Sequence, residues 1–178
     1  RLEHRLFWSI LIVGSLATIA INAGFSRDTP AFDSAFQWVS AAATAGFSTA
    51  DLGAWPTALK LLMVIVMVVG AEAGATVGGL KLSRLAMLLR GIYWRIRRVR
   101  QSPHQVADYR VDGESVSADD AARMAWSAGA LLIMWIAGLL LTALALALAM
   151  PAATPLQDVL FESASAMGNV GLSVGIVG

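Results

Sequence analysis

"TPAFDSAFQWVSAAATAGFS", residues 29–48, and "TPLQDVLFESASAMGNVGLS", residues 154–173, are one phrase written twice. They align without a gap at an offset of 125 residues. Eight of the twenty positions are identical: Thr29/Thr154, Pro30/Pro155, Asp33/Asp158, Phe36/Phe161, Ser40/Ser165, Ala41/Ala166, Gly46/Gly171 and Ser48/Ser173. Ordinary residue usage yields about one or two such matches.

Each phrase has the grammar of a short helix followed by a turn. Thr29 and Thr154 read as caps, with Pro30 and Pro155 at the first helical position. Asp33 and Asp158 fall in the first turn, where the helix dipole favours a carboxylate. A helix over 30–43 or 155–168 is about 21 Å long, too short for a hydrocarbon core of about 30 Å. Gly46 and Gly171 can adopt positive φ and let the chain turn back. The first phrase then leaves through "STADLGAW" towards the face it came from. This predicts a re-entrant loop, which membranes tolerate only where it is buried in protein or lines a water-filled cavity. The helix aims its partially negative carbonyl end at the membrane middle. Beyond it lie the backbone carbonyls of Thr44, Ala45 and Gly46, and of Asn169, Val170 and Gly171. A cluster of such oxygens replaces water around a dehydrated monovalent cation and repels anions. Phe47 and Leu172 complete the two loops, their side chains expected to pack behind the carbonyls.

Composition places these loops in lipid. Of 178 residues, 57% are hydrophobic and only 14% charged, against about a quarter charged in a soluble domain. The class is an integral membrane protein. The absence of Cys excludes disulfides and thiolate metal sites. His4 and His104 both sit in charged segments and leave little material for a metal centre. The chain opens on Arg1 and closes on Gly178, directly after the second phrase, and is expected to belong to a longer one.

Residues 6–25 and 126–150 are charge-free stretches long enough to cross a bilayer. The apolar run 57–69 is about 20 Å as a helix. "GAEAGATVGGLK", residues 70–81, interrupts it, and helical character resumes from Leu82. This reads as a helix broken inside the membrane. Nine of the thirteen Lys and Arg lie between Lys81 and Arg123, with Arg95, Arg97, Arg98 and Arg100 clustered. That segment is expected to be a cytoplasmic loop, so both phrases enter from the outer side. Ser117, followed by Asp119 and Asp120, has the signature of a helix start.

Plainer readings stand beside these. A duplicated hairpin could use its Gly only for close packing, but this leaves the Pro-Asp start of a short helix unexplained. Gly70, Gly74 and Gly78, spaced by four, fit a small-residue packing face. Glu72, Thr76 and the Gly78-Gly79 pair favour a non-helical break lining an aqueous path. Glu162 occupies the position of Gln37. It is either a carboxylate bonded to neighbouring backbone amides or a charge that attracts cations, and the sequence decides for neither. Lys81 and Arg84 are most simply interfacial anchors, and the arginine cluster a positive-inside signal or a lipid contact.

"ATAGFST", "SAMGNVGLS" and above all "GAEAGATVGGLKLSR" (residues 70–84) resemble segments of the Trk/Ktr/HKT superfamily of potassium transporters and channels. The resemblance implies an all-α integral membrane protein. It is built from repeats of membrane helix, pore helix, filter loop and membrane helix, as in a potassium-channel-like pore. Residues 1–90 would be a third repeat (helix 6–25, pore helix 30–43, filter 44–48, broken helix 57–89). Residues 91–120 would be a basic cytoplasmic loop. Residues 121–178 would be a fourth repeat lacking its last helix (helix 121–150, pore helix 155–168, filter 169–173). Filter ligands would come from Thr44, Ala45, Gly46, Phe47, Asn169, Val170, Gly171 and Leu172. Gly70, Gly74, Ala75, Thr76, Gly78, Gly79 and Lys81 would form an intramembrane gate loop.

The transported ion implied is K⁺ or Na⁺, with no organic cofactor, no other metal and no nucleic acid. Ala75 stands where the family often has Ser, Val77 separates Thr76 from the Gly pair, and Asn169 replaces the Thr matching Thr44. These departures bear on K⁺ over Na⁺ preference. Two loops cannot surround an ion, so the resemblance implies the missing half of the pore (the first two repeats) as partner. It further implies a homodimer of complete chains, membrane lipids, a cytosolic nucleotide-binding regulatory subunit, and a multi-pass place in the cell (inner) membrane.

Two other functions compete with this reading. A secondary transporter of a small solute would use the break at 70–79 as a midplane site. An intramembrane hydrolase needs a nucleophile and base at membrane depth, yet no His lies in an apolar segment, and Lys81 near Ser83 is a poor substitute. The chain is therefore not expected to be an enzyme.

Overall fold

A computed structural model describes residues 2–25, 30–70, 80–99, 109–111 and 114–177. The architecture is all-α: α1 (Leu2–Phe25), α2 (Ala31–Ala42), a 3₁₀ turn (Leu52–Ala54), α3 (Thr57–Val69), α4 (Leu82–Val99), α5 (Ala118–Ala149) and α6 (Leu156–Met167). One small addition is an antiparallel ribbon of β1 (Tyr109–Val111) and β2 (Glu114–Val116), with Arg110 opposite Ser115. Its sequence cue is Asp112-Gly113, a dipeptide favoured in two-residue hairpin turns. The polarity of the segment had pointed only to a solvated loop.

Helices α1 and α5 are long and apolar enough to cross a membrane, spanning by that measure 23 and 31 residues, and both are largely exposed within the chain. Ser117 caps α5 as its sequence implies: its hydroxyl accepts from the Asp120 N–H at 3.1 Å. Helix α4 runs on to Val99, into the segment read as basic loop. Its packing on α5 gives the physical reason. Gly91 lies against Ala125, and Leu88 lies beside Gly129, so tertiary contact extends the helix past the point where its charge density rises.

The short helices α2, α3 and α6 are enclosed by these. Helix α1 packs on α2, α5 on α6, and α3 lies between, against both α2 and α6. The core gathers Trp38, Leu59, Met63, Met67, Phe161 and Leu172. Since lipid is as apolar as these side chains, close packing rather than escape from water holds them together. Gly14 illustrates this. A Cβ there would strike the Trp38 ring, whose indole N–H donates to the Ile10 carbonyl at 2.9 Å. The missing side chain lets α2 dock on α1.

Candidate functional site

The two phrases fold as two copies of one device. Helices α2 and α6 each have 12 residues, about 18 Å, and each ends in the same loop. The starts differ from expectation in detail. Pro30 and Pro155 themselves occupy the cap positions, with φ −57° and −64°, and no side chain caps either helix. Proline lacks an N–H that would need a partner, and its fixed φ leads the chain in. Thr154 therefore does not cap; Thr29 lies outside the described residues.

Both helices close with a Schellman motif. In the first, the Thr44 N–H donates to the Ala41 carbonyl at 3.2 Å and the Ala45 N–H to Ser40 at 2.9 Å. In the second, Asn169 donates to Ala166 at 3.2 Å and Val170 to Ser165 at 2.9 Å. The motif needs a left-handed residue just past the helix, and Thr44 and Asn169 both have φ 52°. Asn tolerates this conformation, whereas it is uncommon for a β-branched residue. A second left-handed residue follows two positions on, Gly46 at φ 73° and Gly171 at φ 87°. Sequence reasoning placed the turn at the two glycines and missed its first half; Asn169 was the available cue.

This geometry fixes where the oxygens go. A trans peptide points its N–H and C=O in opposite directions. The N–H groups of Ala45 and Val170 point back into their helices, so the carbonyls of Thr44 and Asn169 point away from them. Among the described residues, no carbonyl of Thr44, Ala45, Gly46, Asn169, Val170 or Gly171 accepts a hydrogen bond. The loops also meet each other. A Cβ on Gly46 would collide with the Val170 carbonyl, and one on Gly171 would lie 3.6 Å from the Gly46 Cα.

Side chains of the parent helices hold each loop in place. The Ser40 hydroxyl donates to the Phe47 carbonyl at 2.7 Å, and Ser165 to Leu172 at 2.6 Å. The carbonyls of Phe47 and Leu172 are thus turned towards their own helices. One turn earlier, a Glu162 carboxylate oxygen accepts from the Val174 N–H at 2.8 Å and the Ser173 hydroxyl at 2.6 Å. Gln37 does the same work. Oriented to satisfy its neighbours, its amide oxygen accepts from the N–H groups of Thr49 and Ala50. The backbone-bonded alternative for Glu162 is the one the geometry displays. Leu172 is buried behind its loop, whereas the Phe47 side chain is 70% exposed. The reason is that α3 packs on α6 behind the second loop, and among the described residues no equivalent helix covers the first.

The break in α3 adjoins the second loop. Gly70, at φ 69°, ends α3, and the Leu80 N–H returns to the Val68 carbonyl at 3.0 Å. A Cβ on Gly168 would sit 3.4 Å from the Met67 carbonyl. Lys81, at φ 65°, immediately precedes α4, its carbonyl accepting from the N–H groups of Arg84 and Leu85. Gly74, Ala75, Thr76, Gly78 and Gly79 lie outside the described residues.

One ion pair escaped sequence reasoning. Lys60, inside the apolar run of α3, places its ammonium 2.7 Å from Asp158 and 2.8 Å from the Gly53 carbonyl.

The family profile described as "TrkH: Cation transport protein" matches residues 8–177, nearly the whole chain. The chain belongs to the TrkH cation transport family. Among relatives it is similar to the Trk system potassium uptake protein TrkH of Halomonas elongata, 32% identical over 122 residues, 68% of this chain and 25% of that one. It is also similar to the Ktr system potassium uptake protein B of Vibrio alginolyticus, 27% identical over 174 residues, 94% of this chain and 35% of that one. An uncharacterized cation transporter of Methanocaldococcus jannaschii is 27% identical over 161 residues, 90% of this chain and 32% of that one. The chain thus spans between about a quarter and a third of the length of these three relatives. The crystal structure of the potassium transporter TrkH from Vibrio parahaemolyticus shares its fold, with a TM-score of 0.67 at 24% identity, over 98% of this chain and 38% of that one. Like other members of the TrkH family, this is a multi-pass protein of the cell (inner) membrane, and its relatives are ion transporters rather than enzymes.

Proposed function

We propose that this chain forms half of a pore for uptake of monovalent cations, K⁺ foremost, in which the carbonyls of residues 44–46 and 169–171 line the filter. The observation that carries this reading is the pair of identically built loops, abutting each other, whose outward carbonyls have no partner among the described residues. Carbonyl oxygens of this kind substitute for the hydration shell of an alkali ion. The names of the Trk and Ktr relatives, potassium uptake proteins, support K⁺ as the cargo. Phe47 and Leu172 act as anchors of the loops, since their carbonyls are engaged by Ser40 and Ser165. By the family resemblance the glycine-rich stretch that begins at Gly70, where α3 ends beside the second loop, would gate the path below it.

Two loops enclose only part of an ion. Val39 is 42% exposed while its counterpart Ala164 is fully buried by α3, and Phe47 and Leu172 differ in the same sense. This supports a further helix, equivalent to α3 and contributed by the first two repeats, over the open face of α2. A homodimer and a cytosolic nucleotide-binding subunit are proposed on the family resemblance. A secondary transporter with a solute site at the break in α3 is the second reading, favoured by the interruption of α3 at Gly70.

Flux measurements on the complete gene product in liposomes decide between them. Gly46→Ser and Gly171→Ser are expected to change the Rb⁺ to Na⁺ flux ratio in protein that still inserts. Unaltered ratios in both variants, or uptake that depends on an organic solute, would sink the carbonyl filter.

A further inference from the structure

An ionisable side chain in an apolar membrane helix is costly, and where one is retained it marks a functional site by default. Lys60 is such a residue. Its side chain is 5% exposed and that of Asp158 is 12% exposed. The ammonium makes two contacts that join different repeats. It reaches Asp158 Oδ1, in the first turn of α6, at 2.7 Å, and the Gly53 carbonyl, on the exit segment of the first loop, at 2.8 Å. Gly53 in turn lies against the exit of the second loop, since a Cβ there would be 2.8 Å from the Val174 carbonyl. Val174 is the residue whose N–H is held by Glu162 of α6. One ammonium therefore connects the exit segment of the first loop to the helix that carries the second.

Among the described residues the pair has no counterpart on the other phrase. Asp33, at the position equivalent to Asp158, accepts instead from the Thr49 hydroxyl of its own loop at 2.8 Å. Stability alone does not explain why an ion pair is retained here. A buried pair is often no better than well-packed apolar residues of the same volume, because desolvation offsets the attraction. What the pair supplies that apolar packing does not is direction, since the ammonium must lie between two particular oxygens.

We propose that Lys60 is a positioning residue for ion selection, setting the placement of the first filter loop relative to the second pore helix. This rests on the carbonyl-filter reading, and the test separates the two. In the complete gene product in liposomes, the Rb⁺ to Na⁺ flux ratio is measured for Lys60→Met, Asp158→Asn, their double variant and Lys60→Arg, beside Gly46→Ser. Contacting residues couple strongly enough that each single change is expected to move the ratio about threefold or more. The double variant moves it no further than the larger single, and Lys60→Arg restores most of the parent ratio.

A parent ratio in Lys60→Met with only reduced thermal stability would show a merely structural pair and overturn the proposal. So would effects that multiply in the double variant. If Lys60→Met does not accumulate, Lys60→Gln, neutral and capable of one hydrogen bond, takes its place under the same criterion. A shifted ratio in Gly46→Ser with none in the Lys60 variants defeats this proposal alone; no shift in Gly46→Ser or Gly171→Ser defeats the filter and this proposal with it.

Discussion

The loops after α2 and α6 share their backbone but not their surroundings. Hydrogen bonds from the loop amides match to within 0.1 Å, at 2.8, 3.2 and 2.9 Å in each. Serine anchors stand at equivalent positions, and left-handed residues recur at the same two places. Yet Phe161, Ala164 and Leu172 are almost wholly buried, while Val39 and Phe47 are exposed. The lesson is that the loop conformation is local. A helix C-terminus, two left-handed residues and two side-chain anchors suffice to build it, whether or not a third helix lies behind. The covering helix adds fixation to a shape already specified.

Substitutions at paired positions probe that division. The largest difference is expected at the acids. Asp158→Ala strands the buried Lys60 ammonium and is expected to cost about 3–5 kcal/mol. Asp33→Ala removes a partly exposed carboxylate at a helix start and is expected to cost under about 1 kcal/mol. Thermal unfolding of the purified protein in detergent reads both, and equal losses would mean that Asp33 also has a buried partner in the complete pore.

At the glycines the left-handed backbone adds about 1–2 kcal/mol to either serine variant. Gly46→Ser also meets the Val170 carbonyl, while Gly171→Ser has room. The first is therefore expected to disturb both stability and the Rb⁺ to Na⁺ ratio more. The serine anchors come next. Ser165→Ala leaves the buried Leu172 carbonyl unpaired, at about 1–3 kcal/mol, and Ser40→Ala less, because its site is part-exposed. Glu162→Gln should be smallest, under about 1 kcal/mol, since an amide oxygen still accepts from Val174, as Gln37 does from Thr49. A change in flux at constant stability in that variant would isolate the effect of the charge.

The parts legible in the sequence are those that local chemistry dictates. The Pro-x-x-Asp start, the glycine four residues past the helix end and the length of the apolar runs all act within a few residues, and they located α2, α6 and the break in α3. What escaped involves distance or exception. Lys60 sits among Leu59, Leu61 and Leu62 and reads as noise until its partner appears 98 residues away. Thr44 adopts a conformation that its branched side chain opposes, so propensity argued against it. Ser40 and Ser165 were visible as identities, but a hydroxyl bonding a carbonyl seven residues on has no periodic signature. The exposure of Phe47 depends on a neighbouring helix, which no property of Phe47 itself could announce.

The hydrogen bond from Leu80 to Val68 has a consequence for how the family can vary. The chain departs α3 at Gly70, and Leu80 is fastened to the same final turn, so the described residues that flank the glycine-rich stretch lie close together. Closing such a circuit becomes only slowly more costly as residues are added. Insertions or deletions between those fastenings are therefore expected to leave α3 and α4 where they are.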